Sequence, residues 1–328
     1  MKKLLTFLLA ALTAVSCAFA LTACDSRGSF GKKIKIAVLQ YAEHGSLDNC
    51  YQGLKEGLAE KGYGADKVSF NFKNAKGIDA DNTTYANSLI NGNPAVAVGI
   101  ATPSAYALAN ASKGDVPVVF TAVSDPYAES MDFRKFENLT GSSDKLPVEN
   151  QIDLIRSFYP ADKIVKIGIV YSLSEANSVS QIAEFEAFEA EKNIEIVTQG
   201  INAATDIPGA VDTLIGKKVD CLNNLTDNKV VQNLNTVLDR ANGAKIPVFG
   251  SEIEQVEKGC LASCSLDYVE LGRRTGYMIA DILNGKKADE IEYLFIEDGY
   301  TVDYNSEVLK TLGMTLADAY KDANDVKA

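Results

Sequence analysis

Apolar positions along this chain follow two rhythms in turn. An unbroken apolar-rich run at 34–39 predicts a strand. The stretch from about 47 to 61 has Leu54 and Leu58 four apart and Gly62 behind it, which predicts an amphipathic helix closed by a glycine. The same sequence of signals continues: strands at 68–72, 95–100 and 116–120, helices at 79–90 and 103–111. It starts afresh near residue 145, with helices at 147–158, 178–192, 207–215 and 230–241 and strands at 164–170, 194–197, 219–222 and 246–249. Regular strand–helix alternation predicts parallel sheets covered by helices on both faces. Two such series in one chain predict two doubly wound α/β lobes.

The first residues follow neither rhythm. Lys2 and Lys3 precede an apolar run from Leu4 to Ala20, the pattern of a secretory signal. The run ends in Leu21–Thr22–Ala23–Cys24, which is similar to a bacterial lipobox. This predicts a lipoprotein signal peptide at 1–23, a lipid on Cys24 and a polar tether at 24–32. No later run approaches the ~20 apolar residues of a membrane span.

Composition narrows the chemistry. The net charge of −12 becomes −14 once Lys2 and Lys3 are removed with the signal. An acidic surface of that size argues against nucleic acid as a partner. The chain has one His and no Trp, so a multi-His metal site within one chain is impossible. No cofactor is called for: neither a Walker A motif nor a GxGxxG turn follows a strand. Cys50, Cys221, Cys260 and Cys264 lack metal-ligand spacing and read as small buried hydrophobes. Glu184, Glu186, Glu189 and Glu191 read as a solvated helix face.

Candidate chemistry lies in the loops after the strands, where open α/β sheets bind ligands. In the first half these loops carry Tyr41, Glu43, His44, Thr102, Ser104, Thr121 and Asp125. In the second they carry Tyr171, Ser174, Asn177, Asp227, Asn228 and Glu252. Thr102–Pro103–Ser104 opens a helix with Thr102 at the cap, and the free N–H groups there suit a carboxylate; a plain structural cap has the same signature. Asp227 and Asp125 suit an ammonium ion, although Asp227 also precedes a helix and reads equally as its N-cap. His44 is the sole ordinary base for an exported α/β hydrolase, yet no activated Ser accompanies it, so an orienting hydrogen bond in a loop or hinge is the simpler role.

Several strings in order resemble one family. They are Glu43–His44 with Leu47–Asp48, Ala101–Thr102–Pro103–Ser104–Ala105, the run from Val118 to Pro126, Ser174–Glu175–Ala176–Asn177–Ser178, Thr226–Asp227–Asn228, the run from Ile246 to Glu252, and Asp267–Tyr268–Val269–Glu270–Leu271–Gly272. With the lipobox, they resemble the substrate-binding lipoproteins of ABC transporters of the tryptophan type. The resemblance implies a type I periplasmic-binding fold, two doubly wound parallel-sheet lobes joined by a three-strand hinge, and no enzymatic activity. Crossings near Ser143, Ser251 and Lys286 would make one lobe of 33–143 plus 252–285 and another of 144–251 plus 286–328, with Ile291–Ile296 a strand returning to the latter. The helix through Leu271, Met278 and Ile282 would pack on the first lobe. The implied ligand is an amino acid, tryptophan or another aromatic or hydrophobic one, and the implied partners are a permease and its ATPase, served by a monomer tethered to the membrane outside the cytoplasm. On this reading Thr102, Ser104 and Thr121 receive the carboxylate. Asp227 holds the ammonium with Glu43 or Asp125, and Tyr41 or Tyr171 meets the ring. A sensor lipoprotein presenting the ligand to a receptor would share the site. Cys260, Cys264 and Gly45 depart from the family pattern; Gly45 stands where relatives often have Pro and would loosen the loop that holds His44.

Overall fold

The computed structural model describes residues 33–296 and 299–328. The expected signal peptide and tether, with Cys24, lie outside the described residues. The fold is that of Ile34–Ala328.

The strands are β1 (Ile34–Gln40), β2 (Val68–Asn74), β3 (Val96–Ile100), β4 (Val118–Thr121), β5 (Leu139–Ser143), β6 (Val165–Ser172), β7 (Ile194–Ile201), β8 (Cys221–Asn223), β9 (Val248–Phe249), β10 (Ala262–Ser265), β11 (Leu294–Phe295), β12 (Thr301–Tyr304) and β13 (Asn324–Asp325). The helices are α1 (Gly45–Glu60), α2 (Asp79–Asn91), α3 (Thr102–Ser112), α4 (Val148–Arg156), α5 (Ala176–Ala187), α6 (Glu189–Lys192), α7 (Ile207–Gly216), α8 (Asn228–Gln232), α9 (Leu234–Ala244), α10 (Ile253–Lys258), α11 (Tyr268–Leu283) and α12 (Ser306–Leu312).

Six parallel strands in the order β2-β1-β3-β4-β5-β11 form the first lobe's sheet. Its central strands β1, β3 and β4 are largely apolar on both faces because both faces are covered. Ile36 and Val38 enter one core with Leu54 and Leu271, whereas Ala37 and Leu39 enter another with Leu108 and Phe120. The second lobe holds the parallel sheet β7-β6-β8-β9. Backbone bonds from Leu261 N to Val248 O (2.6 Å) and from Gly250 N to Ala262 O (2.9 Å) extend it into the β10-β12-β13 sheet. In that extension β12 runs antiparallel to β10.

These pairings move two of the expected boundaries. Residues 252–265 belong to the second lobe and not, as the resemblance implies, to the first: β10 continues the second lobe's sheet and α10 packs on it. Ile291–Ile296 was expected to return to the second lobe, but β11 pairs with β5 in the first. The chain therefore crosses after Ser143, between Ser265 and Tyr268, and between Phe295 and Thr301. The reason is visible in the hinge strands. Leu139–Ser143 and Ala262–Ser265 are made largely of Ser, Thr, Gly, Ala and Cys, so neither shows a long apolar run, and the fifth strand of each lobe is hard to see. Helix α11 does pack on the first lobe, and Cys50, Cys221, Cys260 and Cys264 are buried free thiols.

Helices α1 and α11 meet backbone to backbone. Gly53 and Gly57 on α1 face Gly272 and Gly276 on α11, each pair one turn apart on its helix. A Cβ on Gly53 would lie 1.9 Å from Val269 O, and one on Gly272 would lie 2.1 Å from Cys50 O. No rotamer relieves a clash with backbone, so these four positions admit only glycine at this separation. Gly57→Ala is expected to cost about 1–3 kcal/mol in chemical denaturation. Gly209→Ala, inside α7 with nothing within 4 Å of the added carbon, is expected to stabilise by about 0.5–1 kcal/mol. Equal effects of the two substitutions would refute the packing argument.

Candidate functional site

Loops at the carboxyl ends of the parallel strands meet across the junction between the lobes. His44 Nε2 lies 3.3 Å from Asn228 Oδ1, Ser124 Oγ 3.2 Å from Thr226 Oγ1, and Ser180 Oγ donates to Asp125 Oδ2 at 2.7 Å. Each of these bonds joins one lobe to the other.

On the first lobe's side, α3 begins at Thr102, but its N-cap is Ala101, which adopts φ +78°, not Thr102. Thr102 is buried and its hydroxyl makes no hydrogen bond among the described residues. Ser104 donates to Asn82 Oδ1 at 2.7 Å, and Asn82 in turn donates to the Pro103 carbonyl at 3.0 Å, so α2 holds the start of α3 in place. Thr121 points away from the junction. Its hydroxyl accepts from Ser142 at 3.0 Å and Thr275 at 3.1 Å, inside the first lobe beside Cys50. Glu43 is exposed. Tyr41 is fully buried and donates to Asp79 Oδ1 at 2.6 Å; burial, first, and the Glu175 charge, second, raise its phenol far above the ordinary value.

The second lobe's loops are organised by two carboxylates. Asp227 caps α8 and accepts four hydrogen bonds: Ser172 Oγ (2.8 Å) and Val230 N (3.0 Å) on Oδ1, and Ser172 N (2.6 Å) and Ser178 Oγ (2.7 Å) on Oδ2. All its lone pairs are thus used by its own lobe, and the cap role prevails over the expected ammonium role. Glu175, which lies between the predicted residues Ser174 and Asn177, was missed. It is the only acid in the loop after β6, which is the signal that could have found it. Its Oε2 accepts from Asn228 N at 3.0 Å and Asn228 Nδ2 at 2.6 Å, and its Oε1 accepts from Lys229 N at 3.1 Å. Burial, aided by the neighbouring Asp227 charge, pushes the Glu175 carboxyl well above the usual carboxylate range.

The remaining predicted residues divide. Asn177 and Asn228 are buried at the junction. Tyr171 and Ser172 are consecutive on β6 and so face opposite ways; Ser172 meets Asp227, while Tyr171 reaches toward Gly200 on β7. Ser174 is exposed and shares a groove of about 550 Å³ with Asp79, Asn82 and Pro103. Glu252 is buried at the start of α10, accepts from Gln255 at 2.8 Å, and is pushed up in pKa by burial.

Unmet hydrogen-bonding capacity at the junction is mostly that of acceptors, with the Asn223 amide as an unpartnered donor at the end of β8. Asn177 Nδ2 donates to Thr226 O at 3.0 Å, and the Gln181 amide donates to the Thr226 hydroxyl, leaving Asn177 Oδ1 and Gln181 Oε1 buried without partners. Asn228 gives its amide hydrogens to Glu175, so its oxygen accepts from His44 Nε2–H. That places a proton on Nε2, and burial, which disfavours the charged ring, leaves His44 Nδ1 a buried acceptor without a donor. Buried polar atoms are nearly always partnered. Three free acceptors gathered around Thr226 and Asn228 suit a ligand rich in donors. Among the described residues no group of His, Cys, Asp and Glu is placed to hold a metal ion.

Burial lowers the His44 pKa to about 4, against about 6.5 unfolded. The folded state therefore binds fewer protons than the unfolded state between those values. The stability contributed by the neutral ring is present above about pH 6.5 and is lost as pH falls toward 4. As His44 is the only histidine in the chain, it gives a single imidazole signal in NMR. That signal is expected to stay neutral, with the proton on Nε2, across about pH 5.5 to 7.5. Titration near the free value would show that the ring is not buried between the lobes.

Residues 35–327 match the family model of ABC transporter substrate binding proteins. A curated tyrosine-binding protein of Clostridioides difficile (strain R20291) is 32% identical, the alignment covering 95% of this chain and 93% of the relative. The crystal structure of a Streptococcus pneumoniae ABC domain in complex with L-Trp is 34% identical, covers 89% of this chain and 99% of its own, and superposes with a TM-score of 0.83. The ligand-free, open structure of a Clostridium difficile substrate-binding protein with adhesive properties is 31% identical, covers 89% and 98%, and superposes with a TM-score of 0.65. Fold, junction and matched length agree: the chain belongs to the ABC transporter substrate-binding protein family.

Proposed function

We propose that the protein is the lipid-anchored, extracytoplasmic receptor of an ABC importer, capturing an aromatic L-amino acid between its lobes and delivering it to a permease with its ATPase. The observation that carries the ligand class is the buried junction in which Glu175 and the free acceptors of Asn177, Gln181 and His44 have no cation of the protein's own. An α-ammonium group brings three donors and a positive charge. Glu175 is its partner in this reading, since Asp227 is saturated by its own lobe. The carboxylate is assigned to the first turn of α3 at Thr102, where unpaired N–H groups and the helix dipole favour an anion. The bound ligands of the pneumococcal and clostridial relatives support an aromatic side chain. Lys2, Lys3, the apolar run and Cys24 support the lipid anchor.

Closure around the ligand follows as hinge bending over the three crossings. Bringing an ammonium ion to Glu175 favours its charged form. Binding then releases a proton wherever the empty closed site holds Glu175 protonated, so affinity should rise as pH increases from about 6 to 8.

The chain has no Trp, so excitation selective for indole reports only added tryptophan. Titration of dialysed protein is expected to give a saturable change in tryptophan emission that tyrosine competes away. Glu175→Gln should weaken binding by about 1.5–3 kcal/mol and flatten its pH dependence. No saturable signal with tryptophan, and no thermal shift with tyrosine or phenylalanine, would overturn the aromatic assignment.

A further inference from the structure

Asp125 and Glu254 occupy corresponding places in the two lobes. Each lies five residues after a phenylalanine in the fourth strand of its lobe, Phe120 in β4 and Phe249 in β9. Each reaches across to the helix that follows the first strand of the opposite lobe. Asp125 Oδ2 accepts from Ser180, the fifth residue of α5, at 2.7 Å. Glu254 Oε1 accepts from Asn49, the fifth residue of α1, at 2.6 Å, and its Oε2 accepts from Ser46 at 2.9 Å. Both carboxylates thus sit near the positive end of the opposing helix.

The rest of each contact is also protein. Asp125 Oδ1 accepts from Tyr127 N at 2.9 Å, and both Glu254 oxygens are used by α1. The fit at α1 depends on Gly45. A Cβ there would lie 2.9 Å from Glu254 Cγ, in the middle of the side chain and not at its flexible end. The missing side chain of Gly45 is what lets the carboxylate approach this helix.

We propose that Asp125 and Glu254 are affinity-determining residues that do not touch the ligand: a quasi-symmetric pair of clasps, one from each lobe, that hold the lobes together and set how much ligand-binding energy closure consumes. The proposal rests on the reading that ligand is captured by closure. It excludes Asp125 from the ligand site, where the sequence had placed it. A clasp favours the closed state whatever the ligand, so removing it lowers every affinity by one common factor.

The test uses Ser180→Ala and Asn49→Ala, which delete the donors and leave both carboxylates in place, together with Gly45→Ala. Each is expected to raise Kd for tryptophan and for tyrosine by the same factor, about 10-fold, chiefly through faster release. Spin labels on the two lobes should show a closed population in ligand-free protein that the Ser180→Ala, Asn49→Ala double variant depletes. Unchanged affinities, factors that differ between ligands, or a closed population equal in variant and wild type would each overturn the clasps. The spin-label distances need no ligand. If neither amino acid binds while the variants still open the lobes, the ligand assignment fails and the clasps stand.

Discussion

Burying a carboxylate without a counter-charge is the constraint around which this junction is built. Glu175 and Asp227 are both fully buried between the lobes, and neither takes part in any ion pair among the described residues. Lys229 illustrates the point. Its backbone N–H serves Glu175, but its ammonium turns away to the Asn202 carbonyl at 3.3 Å. Three donors from the start of α8 soften the cost of desolvating Glu175 without removing it. Closing the lobes over an empty site is therefore penalised; in the proposed function a ligand cation removes that penalty and ties closure to occupancy.

Other contacts offset part of that cost and keep closure in register. His44 and Ser124 join hydrogen-bond chains from the first lobe to those of the second, and the acid–helix contacts of Asp125 and Glu254 flank them. The glycine-lined pairing of α1 with α11 gives the first lobe a rigid body to which these contacts are fixed. Since α11 follows directly on the second crossing and α1 carries His44, Ser46 and Asn49 at its start, the tightest helix pair in the chain also sets the geometry of the hinge and the junction.

The architecture was legible in the sequence wherever strands are buried on both faces, because their apolar runs are nearly continuous. It was hidden at β5 and β10, whose small polar residues make no apolar run; in β5 the Thr140, Ser142 and Ser143 side chains bond instead to neighbouring elements. The loops that meet across the junction were legible too, but the side-chain contacts within them were not. Tyr171 and Ser172 differ only by the alternation of a strand, yet one packs against β7 and the other holds Asp227. Asp227 looked available in the sequence because the donors that saturate it, Ser172 and Ser178, lie about fifty residues away. Glu175 was overlooked between two residues that were named, since no local pattern tells a carboxylate aimed at a neighbouring helix from one aimed at solvent.

The threefold crossing also bears on the order in which the chain acquires structure. Synthesis proceeds from the N-terminus, and residues 34–143 appear with five of the six strands of their sheet. The sixth, β11, and the helix that covers Leu54, Leu58 and the glycine face of α1 belong to residues 268–295. The first lobe must wait, with an uncovered apolar face, until most of the second has emerged. Neither lobe is an autonomous folding unit encoded by one contiguous segment, and a nascent chain arrested before residue 268 presents that face to chaperones and proteases.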